Sequence, residues 1–196
     1  MLLMKSILVK RMRMRNLNSS TNKAGILLFD FIFALVLLAF DQFTKYLAIV
    51  RLKGSEPFVL IPGVLEFDYL ENRGSAFGML QNQKIFLLCV GVVFVSVICY
   101  FLFKIPAQKK YNWLHLLFTL IVAGGIGNMI DRFRFSFVVD FISFVLIHFP
   151  VFNVADCYIV IGTILLFLLF LFKYKEDELD FLSFKTKHKK QDSEIN

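Results

Sequence analysis

The chain has 196 residues, of which 58% are hydrophobic and 25 are Phe, and its formal net charge is +7. The mean hydropathy of +0.68 excludes an ordinary soluble domain, because soluble chains are only about half apolar. We expect the positive charge to reflect cytoplasmic loops and attraction to anionic lipid headgroups, so it indicates no nucleic-acid partner.

Four apolar stretches account for the high hydropathy, and they cover residues 25–40, 85–103, 113–130 and 152–172. Each comes close to the ~20 residues that a helix needs to cross a bilayer. Backbone polar groups in lipid must be satisfied within the segment, so each stretch must be helical. The sequence therefore predicts an all-α membrane protein with four transmembrane helices in one domain, residues 25–172.

The start of the chain, residues 1–24, is basic and precedes an apolar run, as in a secretory signal peptide. A removable signal peptide would end in small residues of the A-x-A kind. The residues after Phe40 instead read Asp41-Gln42-Phe43-Thr44-Lys45. We therefore expect the first span to be retained and residues 1–24 to form a cytoplasmic lead.

The distribution of Lys and Arg predicts the orientation. The lead and the connection 104–112 carry basic residues without an acid, whereas segment 41–84 carries as many acids as bases. By the positive-inside rule, both termini and the connection 104–112 face the cytoplasm. Segments 41–84 and 131–151 then lie outside, and residues 173–196 form a charged cytoplasmic tail that includes a short interfacial helix.

The first outer segment has a strand pattern within residues 56–72. Residues 58–61 are apolar, Pro62-Gly63 is a turn signal, and residues 65–70 alternate apolar with polar. This pattern predicts a small extracytoplasmic β-hairpin. Its apolar face is expected to lie against lipid or a bound chain and consists of Leu65, Phe67 and Tyr69.

Ionisable and amide residues near the spans are informative, because each is costly in lipid unless it is paired or hydrated. With the predicted orientation, most of them gather at the outer interface: Asp41, Lys45, Asn128, Asp131, Arg132, Asp140, Asn153 and Asp156. Asp30 lies too deep for this group, and we expect it to be a polar residue that faces the bundle.

Asp140 and Asp156 suggest peptide hydrolysis. If two carboxylates meet at an apolar interface, both cannot ionise, so one keeps a proton at neutral pH. The ionised carboxylate can deprotonate a water molecule while the protonated one donates to the scissile carbonyl oxygen. This chemistry needs no metal and no cofactor.

The other polar residues have simpler explanations. Asp41 and Lys45 are four residues apart and are expected to form a structural ion pair. Asp131 can pair with its neighbour Arg132. His115 and His148 have no partners at ligand spacing, so no metal site is expected. The three cysteines lie in the spans and indicate neither a disulfide framework nor a thiolate site. The Gly124-Gly125-Ile126-Gly127 run indicates close helix packing.

Five segments occur in the order known from one family: Asp41-Gln42-Phe43-Thr44-Lys45, Glu71-Asn72-Arg73-Gly74-Ser75-Ala76-Phe77-Gly78, Gly124-Gly125-Ile126-Gly127-Asn128-Met129-Ile130-Asp131-Arg132, Val138-Val139-Asp140-Phe141-Ile142 and Phe152-Asn153-Val154-Ala155-Asp156. Together they resemble the bacterial lipoprotein signal peptidases, or signal peptidase II. The resemblance covers roughly residues 25–172. It is specific because all five segments fall on the expected sides of the predicted spans.

The resemblance implies that Asp140 and Asp156 form the catalytic dyad of an aspartic endopeptidase. It also implies residues that bind substrate or support the site, namely Asn72, Gly74, Asn128, Asp131, Arg132 and Asn153. The implied substrate is a diacylglyceryl-modified prolipoprotein, cut just before its lipidated Cys at the extracytoplasmic face of the inner membrane. Membrane lipids and globomycin-type inhibitors are further implied partners, and we expect a monomer.

Ser136 departs from the family, which commonly has Gly there, so the turn between Arg132 and Asp140 is open to question. Two other functions remain as alternatives. A small transporter or proton-conducting protein would spread its acids through the membrane depth, which only Asp30 supports. A non-catalytic scaffold for lipoprotein assembly would have the same topology without using the dyad.

Overall fold

The computed structural model describes residues 22–74 and 79–182, apart from the side chains of Glu176 and Asp177. Within these residues, four helices are long and apolar enough to cross a membrane: Lys23–Leu52 (α1), Lys84–Lys104 (α2), Asn112–Phe135 (α3) and Val154–Phe172 (α4). The shortest, α4, has 19 residues and is about 28 Å long at ~1.5 Å per residue. The prediction of four spanning helices is confirmed. Most of the predicted lead, the end of the predicted tail and residues 75–78 of the second matching segment lie outside the described residues.

Helix α1 continues to Leu52, well beyond its predicted end at Phe40. The extension begins with Asp41 and Lys45, which are only 0% and 2% exposed. They face the bundle from one side of the helix and pair with each other, so these charges do not force the helix to end. Helix α3 likewise continues past its predicted end at Ile130, to Phe135.

Ser136 ends helix α3 with a left-handed backbone, at φ 69°. Its N–H donates to the Arg132 carbonyl at 3.1 Å, which closes the helix. This conformation costs a residue with a Cβ roughly 1–2 kcal/mol and favours glycine, which explains why Gly is expected here by resemblance. The turn that leads to Asp140 therefore forms with serine in place, and the Ser136 hydroxyl accepts a hydrogen bond from Lys84 Nζ at 3.1 Å.

Helix α3 is the centre of the bundle and packs against α1, α2 and α4. Most of its apolar window is buried, whereas few residues are fully buried in the apolar windows of the other three helices. Exposed side chains such as Phe31, Val93 and Phe167 are those of a surface in contact with lipid.

Two glycines allow this close packing. A Cβ at Gly124 would collide with the Ala155 carbonyl of α4, and a Cβ at Gly127 would lie 2.6 Å from Asp41 Oδ2 of α1. The predicted role of the glycine run in helix packing is confirmed. The same contacts bring α1 and α4 to the C-terminal half of α3, where the polar residues lie.

The described chain also forms a three-stranded antiparallel sheet of Phe58–Ile61 (β1), Leu65–Asn72 (β2) and Val138–Phe144 (β3), in the order β1-β2-β3. The predicted hairpin is confirmed as β1 and β2. Asp140 belongs to the predicted outer connection 131–151, and its part of that connection is a strand, which the sequence did not predict. Leu70 of β2 lies opposite Asp140, and Asn72 lies opposite Val138.

The apolar face of the hairpin packs differently from the prediction. Phe67 and Tyr69 pack against Ala48 of α1 and against Val139 and Phe141 of β3. The expectation that they face lipid or a bound chain is therefore wrong. The third strand supplies the apolar surface that the hairpin covers, and this packing attaches the sheet to the C-terminal end of α1.

The beginning of the tail folds back onto the opposite end of the bundle. A 3₁₀ helix covers Glu176–Leu182, and its Phe181 packs edge-on against Tyr111. The Tyr174 hydroxyl donates to the Lys110 carbonyl at 2.8 Å. The predicted short helix in the tail is thus present, as a 3₁₀ helix anchored by tyrosines.

Candidate active site

Asp140 and Asp156 come from different elements and are joined through Asn153. Asp140 lies on β3, and Asp156 lies in the first turn of α4. The Asn153 side-chain amide donates to Asp140 Oδ1 at 2.6 Å, and its backbone N–H donates to Asp156 Oδ2 at 3.2 Å. Asn153 is also the N-cap of α4, since its Oδ1 accepts the Asp156 N–H at 3.0 Å. The start of one helix therefore fixes both carboxylates.

A second amide binds each carboxylate from the other side. Asn72 Nδ2 donates to Asp140 Oδ2 at 2.9 Å, and Asn128 Nδ2 donates to Asp156 Oδ1 at 2.7 Å. Every carboxylate oxygen of the pair thus accepts one N–H. These donors are neutral, so they orient the two groups without removing the charge repulsion between them.

Asp140 is the member of the pair that lies outside the helices, and it is only 1% exposed. Burial, followed by the negative charge of Asp156, raises the pKa of Asp140 to about 7. Hydrogen bonds from Asn72 and Asn153 and the positive charge of Lys45 act in the opposite direction but are weaker. Asp140 can therefore hold a proton near neutral pH, as an acid catalyst must.

Gly74 and Arg132 support the same side of the site. The Gly74 N–H donates to Asn72 Oδ1 at 3.0 Å, so the Asn72 amide nitrogen must point towards Asp140. Arg132 Nη2 donates to the Gly74 carbonyl at 3.0 Å. The guanidinium also interacts electrostatically with both Asp140 and Asp156, and it offsets part of their charge.

A cavity of about 730 Å³ opens above the two carboxylates. The polar part of its lining consists of Glu71, Asn72, Arg73, Gln81, Asn128, Arg132, Asp140 and Asp156. Its remaining walls are largely apolar and include Leu70, Val138, Phe149, Val151, Phe152, Val160 and Ile161. A cavity of this size with a few convergent polar groups is typical of a binding site.

A layer of buried charges lies beneath the carboxylates. Lys45 Nζ lies 3.1 Å from Asp41 Oδ2 and 3.1 Å from Asp131 Oδ2. The predicted Asp41–Lys45 pair is present. Asp131 pairs with Lys45 and not with Arg132, contrary to the alternative considered from the sequence, because consecutive helical residues point in different directions.

Two further polar residues were missed by the sequence reasoning. Gln42 Nε2 donates to Asp41 Oδ2 at 3.1 Å and to Asp131 Oδ1 at 3.0 Å, so it bridges the two acids. Its position between Asp41 and Lys45, in the first matching segment, was the feature of the sequence that could have indicated this role. His115 Nδ1 lies 2.7 Å from Asp30 Oδ2, and both side chains are buried. Asp30 thus faces the bundle as predicted, but His115 has a partner that linear spacing did not reveal.

His115→Ala is expected to destabilise the protein by about 3–5 kcal/mol, because it leaves the buried Asp30 carboxylate without its partner. Turnover per folded molecule should stay unchanged, since Asp30 lies about 16 Å along α1 from Asp41, at ~1.5 Å per residue. Thermal unfolding in detergent and substrate turnover would measure the two effects. The exposed His148→Asn is the control and should change neither, and a tenfold loss of turnover in His115→Ala would contradict this structural role.

Comparison with known proteins gives consistent similarities. Residues 33–172 match the family model described as signal peptidase (SPase) II. The chain is 46% identical over 145 residues to a lipoprotein signal peptidase of Caldanaerobacter subterraneus subsp. tengcongensis, covering 71% of this chain and 97% of that protein. It is 40% identical over 135 residues to a lipoprotein signal peptidase of Streptococcus thermophilus, covering 69% and 87% of the two chains.

The fold is similar to that of a bacterial membrane enzyme solved by the in meso method at 1.9 Å resolution. The TM-score is 0.65 at 33% identity, with 74% of this chain and 94% of that chain covered. A second structure of this kind, at 2.3 Å resolution, gives a TM-score of 0.64 at 33% identity. Residues 33–172, which match the family model, contain Asp140, Asp156 and the side chains that bind them, whereas Asp30 precedes this range.

Proposed function

The chain belongs to the signal peptidase II family, and from this premise we propose that it removes the signal peptide of diacylglyceryl-modified prolipoproteins just before the lipidated Cys, with Asp140 and Asp156 as catalytic dyad. It is a multi-pass membrane protein and a lipoprotein signal peptidase. The observation that carries the proposed mechanism is the pair of carboxylates joined through Asn153 beneath an open cavity.

The proposed reaction uses one proton shared between the two acids. The ionised carboxylate takes a proton from water, and the oxygen of that water attacks the scissile carbonyl carbon. The protonated carboxyl, Asp140 in this proposal, donates its proton to the carbonyl oxygen, giving a neutral tetrahedral intermediate. When the C–N bond breaks, the carboxyl that received the proton passes it to the leaving amine. The hydroxyl proton of the intermediate returns to the other carboxylate, which restores the starting state.

The amides and Arg132 have supporting roles in this mechanism. Asn72, Asn128 and Asn153 fix the carboxylates by hydrogen bonds, so little reorganisation is needed during the reaction. Arg132 offsets the single negative charge of the proton-sharing pair. In the described residues the site is complete within one chain, so the proposed monomer would need no residue from a second copy. A globomycin-type cyclic peptide would compete with substrate for the cavity.

The test of this proposal is cleavage by the purified protein in detergent or lipid. A diacylglyceryl-modified prolipoprotein should be shortened by the length of its signal peptide, as seen by a gel shift and by the mass of the product. The product should begin with the lipidated Cys. Intact substrate after prolonged incubation with folded protein would contradict the proposal and favour the scaffold alternative.

The pH dependence of cleavage follows from the raised pKa of Asp140. As pH rises through about 7, Asp140 loses the proton that it must donate, so kcat/KM should fall up to tenfold per pH unit above that value. As pH falls, the catalytic base becomes protonated and kcat/KM should fall again. Initial rates from pH 4 to 10 would measure both limbs. A profile that stays flat to pH 9 would contradict the role of Asp140 as proton donor.

The proposed orientation places the dyad at the extracytoplasmic face of the inner membrane, with both termini in the cytoplasm. It is supported by the excess of Lys and Arg in the lead and in the connection 104–112. A reporter that is active only outside the cytoplasm should give signal when fused after Ser55 and none when fused after Gln108. Signal from the Gln108 fusion would reverse the orientation.

A further inference from the structure

Lys45 is a buried cation that gathers three polar partners beneath the dyad. Its side chain is 2% exposed, and those of Asp41 and Asp131 are 0% and 1% exposed. A buried ammonium is costly unless well-placed partners offset the loss of water. Here the same nitrogen contacts Asp41 and Asp131 at 3.1 Å each and donates to Asn128 Oδ1 at 3.0 Å.

The two carboxylates that Lys45 binds each hold the backbone next to one member of the dyad. Asp131 Oδ2 accepts the N–H of Val139, the residue before Asp140, at 3.1 Å. Asp41 Oδ1 accepts the N–H of Ala155, the residue before Asp156, at 2.9 Å. One ammonium is therefore linked by one carboxylate to β3 and by the other to α4.

The third contact of Lys45 fixes an amide. An ammonium can only donate hydrogen bonds, so it must face the oxygen of Asn128 and not its nitrogen. The Asn128 nitrogen is then directed to Asp156, where it donates at 2.7 Å. Asn128 Oδ1 also accepts from Asn153 Nδ2 at 3.2 Å, the nitrogen that donates to Asp140. The orientation of both amides thus follows from the charge of Lys45.

On the basis of the proposed dyad, we infer that Lys45 is a positioning residue for the two carboxylates. Lys45 sets the spacing of Asp140 and Asp156 and the orientation of the amides that bind these carboxylates. Lys45 acts through Asp41, Asp131 and Asn128 and does not line the substrate cavity. Its role is therefore in the turnover step, and substrate binding should depend on it weakly.

The decisive variant is Lys45→Met, which keeps the length of the side chain and removes the donor. It should lower kcat about 100-fold with KM changed less than threefold, because small displacements of catalytic groups are costly to the rate. It should also move the alkaline limb of the pH profile upward, since the positive charge of Lys45 opposes the raised pKa of Asp140. The other two charged groups of the described chain that act on Asp140 are Asp156 and Arg132, and both stay in place in this variant.

A control separates positioning from general destabilisation. His115→Ala breaks another buried pair between α1 and α3 and should lower the melting temperature while leaving kcat and the pH profile unchanged. Lys45→Arg keeps the charge but carries a longer, planar group. It should lower kcat about tenfold without moving the alkaline limb, and it serves as the deciding variant if Lys45→Met does not fold.

Normal kcat in folded Lys45→Met or in Lys45→Arg would overturn the inference. An equal loss of kcat in His115→Ala would do the same, because the loss would then reflect stability alone. In both cases the wild-type enzyme would still cleave the lipidated substrate, and the proposed function would stand. Failure of the wild-type protein to cleave would instead contradict the proposed function.

Discussion

Asp140→Asn and Asp156→Asn are each expected to reduce turnover of lipidated prolipoprotein by about 10³-fold or more. Each substitution keeps the size of the side chain but removes either the base or the proton donor, and one such group contributes about 10²–10⁴-fold. The double variant should be hardly slower than either single variant, because the two carboxyl groups act as one unit. The measurement is kcat with saturating lipidated substrate for each purified, folded protein.

Asp68→Asn is the matched control for the dyad variants. Asp68 is a carboxylate on β2 of the same sheet, but it does not line the cavity. Its substitution should leave turnover within about twofold of the wild type, as for most surface changes. Near-normal turnover by either dyad variant would exclude the aspartic protease mechanism for this chain, even with the family established.

Unlipidated prolipoprotein is expected to be cleaved with a kcat/KM at least 100-fold lower than the lipidated form. The cavity walls are largely apolar, and each buried methylene contributes about 0.8 kcal/mol. Four methylenes would then contribute about 3 kcal/mol, or about 200-fold in binding. Part of this energy positions the scissile bond at the dyad, so kcat should fall as well. Parallel progress curves with the two substrates give the ratio.

A pair of variants on α4 tests where the acyl chains bind. Ile161 lines the cavity, whereas Ile164 is exposed on the same helix and does not line it. Ile161→Ala should reduce the preference for the lipidated substrate, and Ile164→Ala should leave it unchanged. Equal cleavage of the lipidated and unlipidated substrates by the wild type would refute selection by acyl burial.

The sequence predicted those features of the fold that are encoded locally. The four spans follow from uninterrupted apolar stretches, and the hairpin follows from alternation around Pro62-Gly63. Strand β3 was missed because its partner β2 lies about 70 residues away, and nothing local reveals that pairing. The length of α1 was underestimated because Asp41 and Lys45 resemble a membrane boundary until their buried partners are known.

The site shows the same division. The cost of ionisable groups near lipid pointed to the cluster of polar residues at one end of the spans, and the resemblance selected Asp140 and Asp156 within it. The choice of partners could not be predicted, because it depends on how three helices meet around Asn128 and Asp131. Thus Asp131 pairs with Lys45 and not with Arg132, and Gln42 bridges two acids. The pairing of His115 with Asp30 joins helices that are distant in sequence.

The burial of Asp140 has a consequence for engineering. Its pKa in the folded protein, about 7, lies above the ordinary value of 3.8, so its contribution favours folding at low pH and is lost as pH rises through about 7. At alkaline pH the difference corresponds to about 4 kcal/mol against the folded state. Selection for thermal tolerance alone at pH 8 would therefore favour replacement of Asp140, trading activity for stability. Directed evolution of a more thermostable enzyme must therefore also measure cleavage activity in every round.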